Sequence, residues 1–199
     1  TIILEAFQPT APLKQAVLRG VQLPASCSLY RFKSWNEHDD NSCVANIYQI
    51  GKIDIRTNAV VSLLAQLIRE PAFNVLRTEE QLGYIVFTQV KTSADHIKSL
   101  MLLIQSDSYD PVHMNERIEA FLVTFRTHLL NMSEPDFQTN VNGLCESLLE
   151  RNKNLGEESS KHWSVITNQT YHFTRLADIA SHVRTLDKFD VLCLLDRYI

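Results

Sequence analysis

Glycine is scarce in this sequence, with five residues among 199. Loops that cradle phosphate groups use clustered glycines, because a backbone without Cβ can approach the anion closely. The sequence also contains neither a GxxxxGK[ST] P-loop nor the G-x-S-x-G motif of α/β-hydrolases. These absences argue against a nucleotide-binding loop and against a serine nucleophile on a strand-to-helix turn.

Metal-binding spacings are missing as well. The seven histidines include no H-x-x-x-H pair, and therefore no H-E-x-x-H and no inverted H-x-x-E-H. The polar run Asn36–Asn41, NEHDDN, offers candidate metal ligands at the consecutive positions Glu37, His38, Asp39 and Asp40, but it lacks the alternating ligands and the glycine of a calcium loop. We interpret that run as a solvated turn, and we expect no metal site in this chain.

The four cysteines, Cys27, Cys43, Cys145 and Cys193, are scattered and form no C-x-x-C pair. A disulfide framework or a zinc knuckle would space them differently. We expect reduced and mostly buried thiols. Together with the absence of a signal peptide, this predicts a cytoplasmic protein.

The charge balance and the hydropathy pattern exclude two classes of partner. Nineteen basic and 23 acidic side chains give a net charge of −4, which is unfavourable for binding nucleic acid. No apolar run approaches the about 20 residues of a membrane span. We therefore expect no nucleic acid and no membrane as partner.

The length fits one domain or one piece of a larger protein. The chain begins with Thr1 rather than Met, which predicts a fragment of a longer polypeptide. Residues 1–20 carry Pro9 and Pro12 and are interpreted as a linker with the tail of a preceding domain. Residues 21–199 are predicted to form one folded domain.

The order of apolar patterns predicts an α+β fold of two layers, a mostly antiparallel sheet with helices packed on one face. The predicted strands of that one sheet are residues 28–35, 43–50, 84–90 and 99–106, the first two as a hairpin. Long helices are expected over 110–130 and 133–151. Before them, a helix from Asp54 is expected, and Pro71 either ends it or begins a second short helix over residues 71–82. The side chains expected to be buried are Leu63, Leu67, Phe73, Ile85, Phe87, Leu102, Ile104, Ile118, Phe121 and Phe125.

The segment NVLRTEEQLGYIVF, Asn74–Phe87, holds the candidate functional residues. Gly83 suits a helix C′ position, and Arg77 and Tyr84 lie on either side of it at a helix-to-strand junction. In one interpretation, Arg77 only complements the helix dipole and Tyr84 only begins a buried strand. In the other, both project over the end of the sheet as donors to a substrate carbonyl or oxyanion.

The stretch EPAFNVLRTEEQLGYIVF, residues 70–87, closely resembles a signature of the insulysin–pitrilysin–nardilysin metallopeptidases, the inverzincin group. The likeness continues through LMLLIQS, RIEAFL and LGEESSKHW and extends over roughly residues 13–199. It implies the last, C-terminal domain of a zinc metalloendopeptidase, with a pitrilysin-like α/β roll. In that family two halves, each of two such domains, close around a substrate chamber.

The resemblance also implies roles for residues and partners. The zinc and its H-x-x-E-H site would belong to the N-terminal domain of the parent protein, so this fragment alone would be inactive and would hold no cofactor. Arg77 and Tyr84 match the family's arginine and tyrosine, which contact the peptide substrate from the side opposite the zinc. The partners would be a peptide and the zinc-bearing N-terminal half. The alternative is a catalytically silent structural or interaction module of the same fold.

Overall fold

The computed structural model of the chain describes residues 19–24, 26–36 and 38–199. The linker predicted over residues 1–20 therefore lies almost entirely outside the described residues. The order of elements confirms an α+β fold: β1 Ser42–Lys52, α1 Ile55–Ala72, β2 Ile85–Thr92, β3 Ile97–Ser106, α2 Pro111–Asn131, α3 Glu134–Leu149, α4 Leu155–Thr167, α5 Arg175–Val183 and α6 Lys188–Tyr198.

The three strands form one antiparallel sheet in the order β1-β3-β2. Ile104 of β3 is the common neighbour of Val44 in β1 and Val86 in β2. The prediction of one sheet is confirmed for residues 43–50, 85–90 and 99–106, and Tyr84, the first residue of the predicted segment 84–90, directly precedes β2. The start of β1, the start of β2 and the end of β3 therefore lie at the same edge of the sheet.

The strand predicted over residues 28–35 is wrong. The chain there follows no regular secondary structure, and the aromatic side chains that suggested a strand are exposed, including Tyr30, Phe32 and Trp35. Aromatic residues favour strands because they pack on a pleated surface, and here they have no such surface beneath them. The expected hairpin with residues 43–50 is therefore absent among the described residues.

Helix α1 lies at the centre of the core. Asp54 caps its first turn by accepting a hydrogen bond from the Thr57 amide at 2.7 Å, and Leu63 and Leu64 are fully buried. Pro71 neither ends the helix nor begins a new one, because it lies inside α1. The second helical segment expected over 71–82 is instead a π-helical turn, Phe73–Glu79, that continues α1 without a break. The missing proline N–H leaves one carbonyl of the preceding turn without its helical donor.

Within the described residues, the continuous helix Ile55–Glu79 is long and apolar enough to cross a membrane by length and composition. In the most apolar window of that helix, 56% of the residues are buried inside the fold. The core helix of a globular protein has the same composition, because it is surrounded by apolar neighbours.

The helices cover one face of the sheet, and the other face is largely open. Val86 and Thr88 of β2 are buried under the helical layer, whereas Ile85 and Phe87 point away from it and are 37% and 39% exposed. The predicted burial of Ile85 and Phe87 is therefore wrong, because their face of the sheet is uncovered in the described part of the chain. Phe73, 40% exposed, is the third error. Burial is confirmed for Leu63, Leu67, Leu102, Ile104, Ile118, Phe121 and Phe125.

The later helices follow the sequence signals closely. Ser133 accepts a hydrogen bond from the Asp136 amide at 3.2 Å and begins α3, and Asp187 caps α6 in a reciprocal pair with Asp190.

The cysteines do not follow the expectation. Cys145 is buried, but Cys27, Cys43 and Cys193 are exposed, because they lie in a coil, on the open sheet face and on the outward side of α6.

Candidate functional site

The turn between α1 and β2 is held by two buried leucines. Leu76 and Leu82 are 1% and 2% exposed, and the Leu82 amide donates to the Leu76 carbonyl at 3.0 Å. The Glu80 amide donates to the Val75 carbonyl at 2.9 Å, which is the wider spacing of a π-helix. Because the leucines anchor this turn from inside, the intervening Arg77 is left on the surface.

Gly83 is required for a close approach rather than for a left-handed backbone. The positive φ expected at Gly83 occurs instead at Gln81, where φ is 52°. A Cβ on Gly83 would overlap the Gln105 carbonyl oxygen at the end of β3. The absence of a side chain therefore lets the turn pack directly on the edge of the sheet, which brings Tyr84 beside the loop that follows β3.

An ion pair ties the same turn to helix α2. The Arg117 guanidinium donates to both oxygens of Glu80, from Nε at 2.7 Å and from Nη2 at 2.6 Å. The planar fork matches the carboxylate, so the contact fixes direction as well as distance. The bond to Glu80 raises the pKa of Arg117 further above its usual range.

The Arg77 guanidinium stacks on an aromatic ring one turn earlier. Its central carbon lies 4.8 Å from the centre of the Phe73 ring, the range of a cation–π contact. This contact explains the exposure of Phe73, whose ring supports the guanidinium instead of entering the core. No carboxylate among the described residues pairs with Arg77. The N–H groups of Arg77 are therefore available to bind a ligand beside the Phe73 ring.

Tyr84 is held by a residue that the sequence analysis missed. Its hydroxyl donates to Asn41 Oδ1 at 2.8 Å, and Asn41 Nδ2 in turn donates to Asp39 Oδ1 at 2.8 Å. The Asn41 amide also donates to Asp39, at 3.1 Å. The hydrogen bonds from Asn41 lower the pKa of Asp39, and the side-chain bond has a larger effect than the backbone bond. The turn interpreted as merely solvated therefore contributes one side chain to the site.

Arg77 and Tyr84 line one open cleft of about 500 Å³, together with Thr78, Gln81, Gly83, Ser106, Asp107 and Ser108. The loop after β3 is fixed by Ser106 Oγ, which accepts from the amides of Ser108 and Tyr109 at 3.1 Å each. The lining residues bring a guanidinium and a phenol together with shorter polar side chains, among them Gln81 and Asp107. No histidine or lysine lines the cleft to activate the serine hydroxyls.

The cleft residues do not fit a zinc ion. Asp107 is the one carboxylate that lines the cleft, and the described part of the chain contains no group of three or more His, Cys, Asp or Glu side chains that could hold a metal. Zinc in proteins takes three or four ligands of those types. Glu37 of the acidic turn lies outside the described residues, and the absence of a metal from this chain stays a prediction.

Comparison with known proteins places the chain in a family. A family model for the PQQ synthase PqqF-like C-terminal lobe domain 4 matches residues 63–163. Human insulin-degrading enzyme is 35% identical over 185 residues, 93% of this chain, and the A-factor-processing enzyme of Saccharomyces cerevisiae is 36% identical over 183 residues, 92% of this chain. The chain spans 18% of the length of each of these two relatives.

A solved structure agrees with the sequence comparisons. The crystal structure of pitrilysin matches with a TM-score of 0.73 and 26% identity, covering 81% of this chain and 17% of that chain. The resemblance stated from residues 70–87 is therefore confirmed. The chain belongs to the PqqF-like C-terminal lobe domain 4 family, and it is similar to one part of insulin-degrading enzyme and to one part of pitrilysin.

Proposed function

We propose that this chain is the non-zinc C-terminal domain of a peptide-degrading zinc endopeptidase, and that it forms part of the wall of the substrate chamber. The folded unit would begin near residue 21, after a linker, and would act with a zinc-bearing N-terminal half of the same protein. The observation that carries the proposal is the shared cleft: Arg77 and Tyr84 lie together at one edge of the sheet, each held by its own neighbour.

The chemistry of the two side chains suits a peptide backbone. A guanidinium has only donors, so Arg77 binds a carbonyl oxygen or an oxyanion. The Tyr84 hydroxyl has one proton to donate to the same kind of group. Donors aimed at the place where negative charge develops lower the barrier for acyl transfer, and their effect grows when chamber closure excludes water. Contacts to the backbone would also leave the choice of substrate sequence largely to other surfaces.

In this proposal the zinc supplies the hydrolytic chemistry from the other half of the protein. The residues described here would bind and orient the peptide and would donate hydrogen bonds to it. An isolated preparation of the 199-residue chain is therefore expected to hold no stoichiometric zinc and to hydrolyse no peptide. Metal analysis that finds one tightly held zinc per chain would contradict this division of labour.

The test of the proposed role is a set of arginine variants in the full-length protein that carries this domain. Arg77→Ala removes all donors, and Arg77→Lys keeps the charge but loses the planar fork and its stacking on Phe73. Both should lower kcat/KM for a fluorogenic peptide, Arg77→Ala the more. Arg151→Ala is the matched control, since Arg151 is an exposed arginine outside the cleft.

The alternative, a silent structural module, gives a different result in the same experiment. A full-length protein without peptide hydrolysis, or full activity in a folded Arg77→Ala variant, would favour it over the proposed role.

We also propose a cytoplasmic location, supported by four unpaired cysteines. Fractionation that finds the protein in an oxidising compartment would contradict this.

A further inference from the structure

The direction of the hydrogen bond between Tyr84 and Asn41 is fixed by a third residue. The Asp39 carboxylate can only accept, so the Asn41 atom at 2.8 Å from it is the amide nitrogen. The amide oxygen of Asn41 is thereby turned toward Tyr84, and the phenol must donate its single proton to it across 2.8 Å. The Tyr84 proton is committed to Asn41 before any substrate enters the cleft.

We propose that Asn41 is a positioning residue that holds the hydroxyl proton of Tyr84 until negative charge develops on the substrate. The proposal rests on the function proposed above. The acceptor of Asn41 is an amide oxygen, the same chemical group as the carbonyl of an uncleaved peptide. Moving the proton from one amide oxygen to another gains nothing, so Tyr84 stays on Asn41 in the substrate complex.

The balance changes when the substrate carbonyl becomes an oxyanion. A hydrogen bond to an ionised acceptor is roughly twice as strong as one between neutral groups. The phenol then gains by leaving Asn41, and the gain occurs only in the transition state. Interactions made only there raise kcat, whereas those made equally in the ground state lower KM alone. Asn41 therefore makes Tyr84 selective for the transition state.

Asp39 supports this arrangement in two ways. Its carboxylate receives both the side-chain and the backbone N–H of Asn41, which leaves the amide one orientation. The same hydrogen bonds lower its pKa, so the carboxylate stays ionised throughout the ordinary pH range and the orientation of Asn41 persists. The contact of Tyr84 with Asn41 joins residues 43 positions apart, so it also locks the acidic turn to the start of β2.

The test is Asn41→Asp in the full-length protein. The substitution keeps the size of the side chain and an acceptor for the phenol, but it replaces the N–H that Asp39 accepts by a charged oxygen. The proton then gains nothing by moving from this carboxylate to the oxyanion. We expect kcat and kcat/KM to fall about tenfold, to the level of Tyr84→Phe, with KM unchanged. Because the effect acts through the phenol, the double variant Asn41→Asp/Tyr84→Phe should be no worse than Tyr84→Phe alone.

Two controls separate charge from loss of structure. Asn36→Asp adds the same charge to the same turn, where the Asn36 side chain only accepts from the His38 amide, and it should keep the parent activity. The exchanged pair Asp39→Asn/Asn41→Asp restores an amide facing a carboxylate within the turn but leaves the charge beside Tyr84. It should be as impaired as Asn41→Asp, whereas a purely structural role for Asn41 predicts recovery.

The outcomes distinguish this inference from the function on which it rests. Parent activity in Tyr84→Phe overturns the proposed role of Tyr84 itself. An impaired Tyr84→Phe beside a fully active Asn41→Asp overturns the inference about Asn41 and leaves the proposed function standing. Additive losses in the double variant, or recovery in the exchanged pair, also overturn the inference.

Discussion

Replacing Tyr84 by phenylalanine removes one hydroxyl from the cleft and leaves the ring in place. Tyr84 is 49% exposed, and its hydroxyl is engaged with Asn41 rather than with the core. The loss of that bond, in a partly solvated position, should cost about 0.5–1.5 kcal/mol of stability at most. The full-length variant should therefore fold, and a change in turnover can be assigned to the hydroxyl.

The size of the effect follows from an exchange of partners. A neutral hydrogen bond contributes about 0.5–1.5 kcal/mol, and one to a charged group about 1.5–3 kcal/mol. Tyr84 gives up the first when it takes the second, so the net stabilisation of the transition state is roughly 1–1.5 kcal/mol. That difference corresponds to roughly a tenfold fall in kcat. An oxyanion donor with no competing partner typically loses about 10²–10³ on removal.

Steady-state kinetics on a short fluorogenic peptide, with thermal melts as the control for folding, measure this directly. A contact made only in the transition state lowers kcat and kcat/KM together. A rise in KM with unchanged kcat would instead assign Tyr84 to plain substrate binding. Wild-type turnover in a well-folded variant would refute a role for the hydroxyl, and a fall of about 10³ would refute the exchange with Asn41.

Three further substitutions test the contacts that hold the turn, the Arg77 guanidinium and the start of α1 in place. Gly83→Ala should destabilise the domain by about 1–3 kcal/mol, because the new Cβ meets the Gln105 carbonyl oxygen, and denaturant melts measure this. Phe73→Leu should keep the fold but release the guanidinium of Arg77, lowering kcat/KM by roughly two- to fivefold, from a cation–π contact of about 0.5–1 kcal/mol. Asp54→Ala should cost about 1 kcal/mol through the lost cap. The pKa of Asp54 is lowered by its bond to the helix amide. The difference between parent and Asp54→Ala should therefore be complete above the ordinary pKa of 3.8 and disappear as the pH falls through the lower folded-state value. Equal melting curves near pH 7 would exclude the cap.

The fold followed from periodicity wherever a segment had one apolar face and a cap. Helices α1, α2 and α3 begin where Asp54, Asp110 and Ser133 cap them, and their apolar stripes are buried. Strand propensity was less reliable. It reflects packing on a neighbouring surface, and residues 28–35 have none, while Ile85 and Phe87 lie on a face that nothing described covers.

The candidate site was predicted only in part. Arg77 and Tyr84 were singled out because they lie in one segment at a helix-to-strand junction, but only the resemblance of that segment to the metallopeptidase signature favoured a functional role over a structural one. Asn41 was missed because its contact with Tyr84 spans 43 positions, and a polar residue in a polar turn has no periodic signal. The support of Arg77 by Phe73 was also missed. The aromatic ring was assigned to the core on its hydrophobicity, whereas the cation above it provides an equally good partner.

The π-helical turn makes the cleft sensitive to the number of residues between α1 and β2. A deletion would reveal this sensitivity, whereas a substitution would not. A π-helix closes its hydrogen bonds over five residues where an α-helix uses four, so Phe73–Glu79 accommodates one more residue than a regular turn. Loss of a single codon within this stretch would allow an ordinary α-helix to form. The side chains within the turn would change direction around the helix axis, whereas the residues beyond it would keep their phase. The buried side chains of the helix would return to the core, and Arg77 would point away from its present position. A well-folded domain would then lose its cleft through the removal of one amino acid.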